Sequence, residues 1–245
     1  MKKIFIRFYE ELNDFLPEDT RKKRFEHPFK NNPSVKDLIE SLGVPHVEID
    51  LILVNGKSVG FAYRVKNNDD ISVYPVFESF DIGEVQHLRS RPLREKKFIL
   101  DVHLGTLAKY LRILGFDTLY ENNYSDDQIV EYALREERTI LTKDRGILKR
   151  NNVTRGYFVR NTQPEKQLEE ITKRFDLKGS IKEFTRCLVC NSLLENAGVE
   201  KIEKLVPRKV KLYHKVYYYC SKCDKIYWNG SHYKRMRELI IRVLQ

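Results

Sequence analysis

Acidic residues stand where short apolar runs stop. Phe98-Ile99-Leu100 runs into Asp101, and Thr139-Ile140-Leu141-Thr142-Lys143 runs into Asp144. Asp126 and Asp127 open a helix-like stretch beyond Thr118-Leu119-Tyr120. Carboxylates gathered at one place repel each other unless a cation joins them, and hard oxygen ligands select magnesium or manganese. Such an ion lowers the pKa of a bound water and offsets charge on phosphoryl oxygens, the chemistry of phosphodiester hydrolysis. Each acid is also a fitting helix cap or first-turn residue, stabilised by free amides and the helix dipole. Asp101 is the hardest to read that way, because a charge ending an apolar strand is costly when buried without a partner.

The second chemical feature is sulfur. Cys187-Leu188-Val189-Cys190 and Cys220-Ser221-Lys222-Cys223 contain all four cysteines of the chain. Two such pairs supply four thiolates, which suit a closed, tetrahedral structural zinc site with no open position for catalysis. Tyr227-Trp228-Asn229-Gly230-Ser231-His232-Tyr233 follows the second pair, and then come Lys234, Arg235 and Arg237. Aromatic faces beside basic groups suit single-stranded RNA, so Tyr227, Tyr233 and Arg235 are candidate RNA contacts. Trp228 fits better the small core of a metal-held module, Tyr227 is a second candidate for that core, and Tyr233 fits either role equally; His214 and His232 are not needed by a four-cysteine site.

These groups need elements to position them. Residues 1–80 read as strand, strand, helix, strand, strand. Ile4, Ile6 and Phe8 alternate with Phe5, Arg7 and Tyr9, and Arg24 to Phe29 is a partner strand. Ser34 caps a helix with Val35, Leu38, Ile39 and Leu42 at helical spacing, and Gly43 stops it. Leu51 to Val54, Asn55-Gly56 and Lys57 to Gly60 form a hairpin signal, and Ile71 to Tyr74 is a last strand. Residues 81–96, with Gly83, Pro92 and Arg89, Arg91 and Arg94, read as a linker. Residues 97–180 alternate strand and helix, the pattern of an α/β domain with a parallel sheet. In such sheets sites form at the carboxyl ends of the strands, which is where Asp101 and Asp144 stand. Residues 181–245 turn to short strands and cysteine knuckles, weak alternation from Lys209 to Tyr219, and a helical tail from Ser231 to Leu244.

Charge follows the same division. The chain of 245 residues carries a net charge of +10. Residues 181–245 hold 14 basic and 6 acidic side chains, whereas residues 1–80 are close to neutral. A basic segment attracts polyanions and speeds encounter with them. No apolar run approaches the ~20 residues of a membrane span, and Arg7 breaks the N-terminal apolar run at once, so neither a membrane anchor nor a signal peptide is expected. Paired cysteines at metal-ligand spacing fit a reducing compartment, the cytoplasm.

Two resemblances sharpen these expectations. The order of residues 1–80 resembles the β-grasp, or ubiquitin-like, fold and especially the small sulfur-carrier proteins. Those carriers end in Gly-Gly; here the last strand runs into Pro75-Val76-Phe77-Glu78-Ser79-Phe80, which leaves a protein-docking module as the expected role. Phe98-Ile99-Leu100-Asp101, Leu104 to Asp117 and Leu141-Thr142-Lys143-Asp144-Arg145 resemble blocks of the Mut-seven C-terminal RNase family of PIN-like nucleases. That resemblance implies a Rossmann-like PIN core between a ubiquitin-like domain and a zinc ribbon, with RNA as substrate. It implies Asp101 and Asp144 as ligands of magnesium or manganese, with Asp126 or Asp127 as third acid. Arg112, Lys143 and Arg145 then become candidates for holding phosphates. Many PIN nucleases carry a fourth acid after the next strand, but Val159-Arg160-Asn161-Thr162 offers none. A metal-dependent ribonuclease is the leading expectation, and a non-catalytic RNA-binding adaptor or a docking protein are the alternatives. Oligomeric state is open.

Overall fold

A computed structural model describes residues 2–75 and 96–244; apart from Lys96, the expected linker lies outside the described residues. The chain forms two compact units, one of residues 1–95 with 144–158, the other of residues 96–143 with 159–245.

The first unit opens with β1 (Lys2–Phe8), β2 (Phe25–Phe29), α1 (Val35–Ser41), β3 (Ile49–Val54), β4 (Lys57–Ser58) and β5 (Asp70–Pro75). The strand order is β2-β1-β5-β3-β4, with β1 and β5 parallel at the centre and the other pairs antiparallel. This is a β-grasp. Its core follows from the alternation: Ile4, Ile6 and Phe8 meet Ile52, Ile71 and Val73 and are covered by Val35, Leu38 and Ile39 of α1. Ser34 Oγ accepts the Asp37 amide and starts the helix. Asn55 (φ 52°) and Gly56 (φ 79°) supply the two left-handed residues of the tight hairpin. A 3₁₀ turn over Glu10–Phe15, not anticipated from pattern, adds Leu12 and Phe15 to the core. Asn13 Nδ2 holds it by donating to the carbonyls of Phe8 and Glu10.

The second unit contains β6 (Lys97–Leu100), α2 (Gly105–Ile113), β7 (Asp117–Leu119), α3 (Asp126–Arg135) and β8 (Thr139–Thr142). β6 lies between β7 and β8 and runs parallel to both. Phe98, Ile99 and Leu100 are all buried, as a strand covered on both faces requires. The order changes direction at β6, so Asp101 at its carboxyl end occupies the switch point of the sheet.

Residues 144–158, with α4 (Arg145–Leu148) and β9 (Gly156–Phe158), belong to the unit of the β-grasp. His46 Nε2 pairs with the Val153 carbonyl at 2.9 Å, Lys149 Nζ donates to the Glu40 carbonyl, and the Phe158 amide donates to the buried carboxylate of Glu48.

The second unit resumes with α5 (Pro164–Arg174), then β10 (Glu195–Asn196), α6 (Val199–Leu205), α7 (Arg208–Lys211), β11 (Tyr217–Cys220), β12 (Lys225–Trp228) and α8 (Ser231–Leu244). β10, β11 and β12 form a small antiparallel sheet, and α8 packs on α5. The alternation expected from Lys209 is corrected here. Pro207, extended, caps a short helix over Arg208–Lys211, and the strand begins only at Tyr217. The Val210 carbonyl takes the Tyr213 and His214 amides, which ends the extended path.

Gly115 ends α2 with φ +91°, and a Cβ there would overlap the Lys182 carbonyl. That close approach lets the Lys182 and Phe184 amides donate to Leu114 and Ile113, laying the segment before the first cysteine pair against α2. Gly115→Ala is expected to lower stability by about 1–3 kcal/mol through overpacking at a left-handed position, read as a lower midpoint in urea unfolding.

Candidate active edge and cysteine cluster

Asp101 is 4 % exposed. Its Oδ1 accepts the His103 amide at 2.8 Å, which is ordinary capping of the following turn. Its Oδ2 does more: it accepts the Thr142 hydroxyl at 2.6 Å and the Lys143 amide at 3.2 Å, both at the end of the neighbouring strand β8. None of these three donors carries a full charge. A carboxylate offers about four lone-pair sites, so the donor set holds Asp101 in place and still suits a cation. Asp144, the residue after Lys143, is exposed and caps α4 through Oδ1 and the Gly146 amide at 2.6 Å. Asp126 and Asp127 lie exposed in the first turn of α3 behind a capping box of Ser125 and Gln128.

Among the described residues, the four cysteines are the only group of three or more His, Cys, Asp or Glu side chains brought within mutual reach of one metal ion. Asp101 adds to its cap the contacts with Thr142 and Lys143.

Sequence reading assigned no acid to the loop after β9, and the structure supplies one. Glu170 of α5 turns back to it, Oε1 accepting the Arg160 amide at 2.8 Å and Oε2 accepting the amide and Nδ2 of Asn161 at 2.9 and 2.7 Å. Nothing in the local pattern marks it, since Glu170 reads as a solvent-facing helix position. Lys143 Nζ donates to the Arg160 carbonyl at 3.4 Å, so Lys143 links the ends of two strands. Arg145 lies over the rings of Phe15 and Phe158, 5.1 and 5.2 Å from their centroids.

Arg112 corrects its expected role. It is 3 % exposed rather than facing a phosphate. Nε donates to the Thr118 carbonyl at 2.9 Å, one terminal nitrogen donates to Leu188 and Val189 of the first cysteine knuckle at 3.1 and 2.9 Å, and the other donates to Tyr120. Burial pulls its pKa down, and Glu121 and the neighbouring thiols oppose that. The amphipathic stripe of α2 gives no sign of this, because the residues that need its donors lie far along the chain.

Asp117, at the amino end of β7, completes the same attachment. It receives Arg138 at 2.6 Å, Asn191 Nδ2 at 2.8 Å and Arg186 at 3.6 Å. Burial pushes its pKa up, but these donors outweigh burial and leave it below the usual carboxylate range. Asn191 also accepts the Thr118 amide, which ties the first knuckle to β7.

The four sulfurs lie within 4.8 Å of one another. Cys187–Cys223 and Cys190–Cys220 are each 3.4 Å apart, far beyond the ~2.05 Å of a disulfide. Cys187 and Cys220 are fully buried. Four convergent thiols fit a tetrahedral ion and leave no open position. Tyr227 Oη sits 3.1 Å from Cys187 Sγ, and burial together with that thiol pushes its pKa up. Tyr227 therefore supports the cluster. Tyr233 packs on Phe184 with ring centroids 4.0 Å apart, and Arg235 is exposed on α8. No described helix is long and apolar enough to cross a membrane.

A PIN-like parallel sheet with a buried carboxylate at its switch point, joined to a four-thiol module and accompanied by a β-grasp, defines the α/β class of this protein. Residues 96–240 match the family model of the Mut7-C RNAse domain and residues 1–81 that of the Mut7-C ubiquitin domain. The chain belongs to the Mut7-C RNase family. No curated protein and no solved structure gave a match.

Three outcomes follow from this geometry. Chelation of the thiol-bound ion is expected to open residues 186–228 to protease, since binding and folding are linked in such modules; Arg112→Met should increase cleavage there even with metal present, each stranded carbonyl costing about 1–3 kcal/mol. Because Asp117 is more acidic folded than unfolded, its stabilisation is present above the unfolded value near ~3.9 and is lost as pH falls through the folded one. Urea unfolding from pH 6 down to pH 3 should therefore weaken the wild type more than Asp117→Asn.

Proposed function

We propose that the chain is a metal-dependent ribonuclease, an endonuclease, that hydrolyses RNA phosphodiester bonds at the acidic edge beginning with Asp101. The observation that carries this reading is the environment of Asp101: a buried carboxylate at a sheet switch point whose three donors among the described residues are a hydroxyl and two amides. A desolvated charge with neutral donors is costly unless a cation joins it. Asp117 in the same sheet shows the alternative, an acid neutralised by arginines.

Asp101 and Asp144 would hold magnesium or manganese, hard cations that carboxylates suit. When bound, the ion supplies a more acidic water and offsets phosphoryl charge. Asp126, ahead of Asp127 in its turn, would orient the attacking water for in-line displacement. Arg145, with its guanidinium over Phe15 and Phe158, would offer a bidentate fork to phosphate. Thr142 and the Lys143 amide fix the Asp101 rotamer. Zinc in the four-thiol cluster would be structural, holding a basic module that binds RNA. The β-grasp would dock a protein partner, and the unpaired thiols suit the reducing cytoplasm.

The test is cleavage of labelled RNA with manganese. Asp101→Asn and Asp144→Asn should each lower the rate by more than the roughly 100-fold that outer partners of a metal site cost, and Thr142→Val by about 10–100-fold. Equal cutting by wild type and Asp144→Asn would overturn the site. Binding without cutting by the wild type would favour the RNA-binding adaptor.

A further inference from the structure

An apolar cleft is built within the cysteine module. It is a cleft of about 340 Å³ walled by Phe184, Leu194, Tyr218, Trp228, Tyr233 and Met236. That volume is at the small end of ligand sites, about 300–1,000 Å³, the scale of one or two ring systems. Its walls come from β11, β12, the start of α8 and the segment held by Gly115, so it is built on elements already fixed by the thiol cluster and by α2. Gly230 keeps the indole in position: a Cβ there would come within 2.8 Å of Trp228 Nε1. Tyr227, which also lines it, is anchored by Cys187.

A second cleft adjoins the first. It shares Asn229 and Tyr233 and is lined beyond them by Lys234, Arg237, Glu238 and Ile241. Its two cations outnumber its one carboxylate. Arg237 is 58 % exposed and meets Glu183 only at 3.7 Å, which leaves most of its donors to solvent. Tyr233 is thus the partition between an aromatic slot and a cationic one.

We propose that these paired clefts are a nucleotide subsite: an unpaired RNA base enters the aromatic cleft, and its phosphate lies against Lys234 and Arg237 across Tyr233. The proposal rests on RNA being the substrate. Bases present a π face whatever their identity, so stacking on Trp228 and Tyr233 is sequence-tolerant. A paired base has no free face to enter such a slot, so the subsite selects single strands. An apolar peptide side chain would fill the first cleft but has no use for the second. The adjacency of aromatic and cationic linings, in the most basic quarter of the chain, is what favours a nucleotide.

Trp228 is the only tryptophan in the chain, so its fluorescence reports this cleft alone. The experiment titrates full-length Asp144→Asn protein, zinc retained and no magnesium or manganese added, with a short oligouridylate. Saturable change of Trp228 emission is expected. Tyr233→Ala should weaken binding about 5–150-fold, the equivalent of one stacked base at ~1–3 kcal/mol. Lys234→Gln with Arg237→Gln, both on the exposed face of α8, should reduce the log–log salt slope by roughly 0.7, the loss of one phosphate contact; this pair keeps the test open should Tyr233→Ala not fold. Unchanged emission at saturating oligouridylate, equal affinity of all variants, or duplex RNA bound as tightly as single strand would overturn the subsite. Cleavage with silent Trp228 would sink the subsite and leave the nuclease; a responding Trp228 in a protein that never cleaves would do the reverse.

Discussion

One buried guanidinium organises the second unit. Arg112 sits on α2, yet its donors are taken by carbonyls of β7, by the residue after it and by the first cysteine knuckle. A buried arginine is tolerable only if its donors are met, and these carbonyls lie where sheet and knuckle loop would otherwise leave them unpaired. The interaction is therefore mutual: the knuckle loop satisfies Arg112, and Arg112 satisfies the knuckle loop. Lysine, with a compact ammonium and no fork, could not reach both sides at once. Asn191 repeats the device by accepting the Thr118 amide while donating to Asp117. The cysteine module is accordingly part of the sheet's own hydrogen bonding, which agrees with a single family match running over residues 96–240.

Two acids of one sheet show how environment separates structure from chemistry. Asp117 stands at the amino end of its strand and is neutralised by Arg138 and Arg186. Asp101 stands at a carboxyl end and, among the described residues, receives a hydroxyl and amides. Attractive charges have already settled the first, so it has little left to offer a ligand. The second is held by a hydroxyl and amides, a fixed geometry of the kind a preorganised ligand requires.

Most of the framework was legible because its signals are local. Alternation in Ile4, Ile6 and Phe8, the Ser34 and Ser125 caps, the Asn55-Gly56 turn and the unbroken Phe98-Ile99-Leu100 run each act over a few residues. What was not legible depends on distant partners. Arg112 looked like a surface cation because Leu188 and Val189 lie 76 and 77 residues away. Glu170 looked like a solvent-facing helix residue because Arg160 and Asn161 meet it only through the return of α5. The contacts of residues 144–158 with the β-grasp, such as His46 with Val153 over 107 positions, leave no trace in periodicity. The Asp101 site was half visible: its strand end could be read, but the Thr142 hydroxyl that distinguishes it from a cap could not.

Charge and aromatic surface divide the work of holding a polyanion. The positive excess of the last quarter acts at long range and fades over the ~8 Å screening length at physiological salt, so it would gather a polyanion without registering it. Stacking acts only at contact and is nearly indifferent to salt, so it can register a strand. The sequence put both kinds of residue in one segment, Tyr227 to Arg237, but only the fold sorts them. It turns Tyr227 inward to Cys187, leaves Tyr233 between an apolar and a cationic lining, and keeps Arg235 on the open face of α8. A segment that offered both RNA contacts and a small core is thus sorted over eleven residues into a support, a partition and a solvent-facing charge.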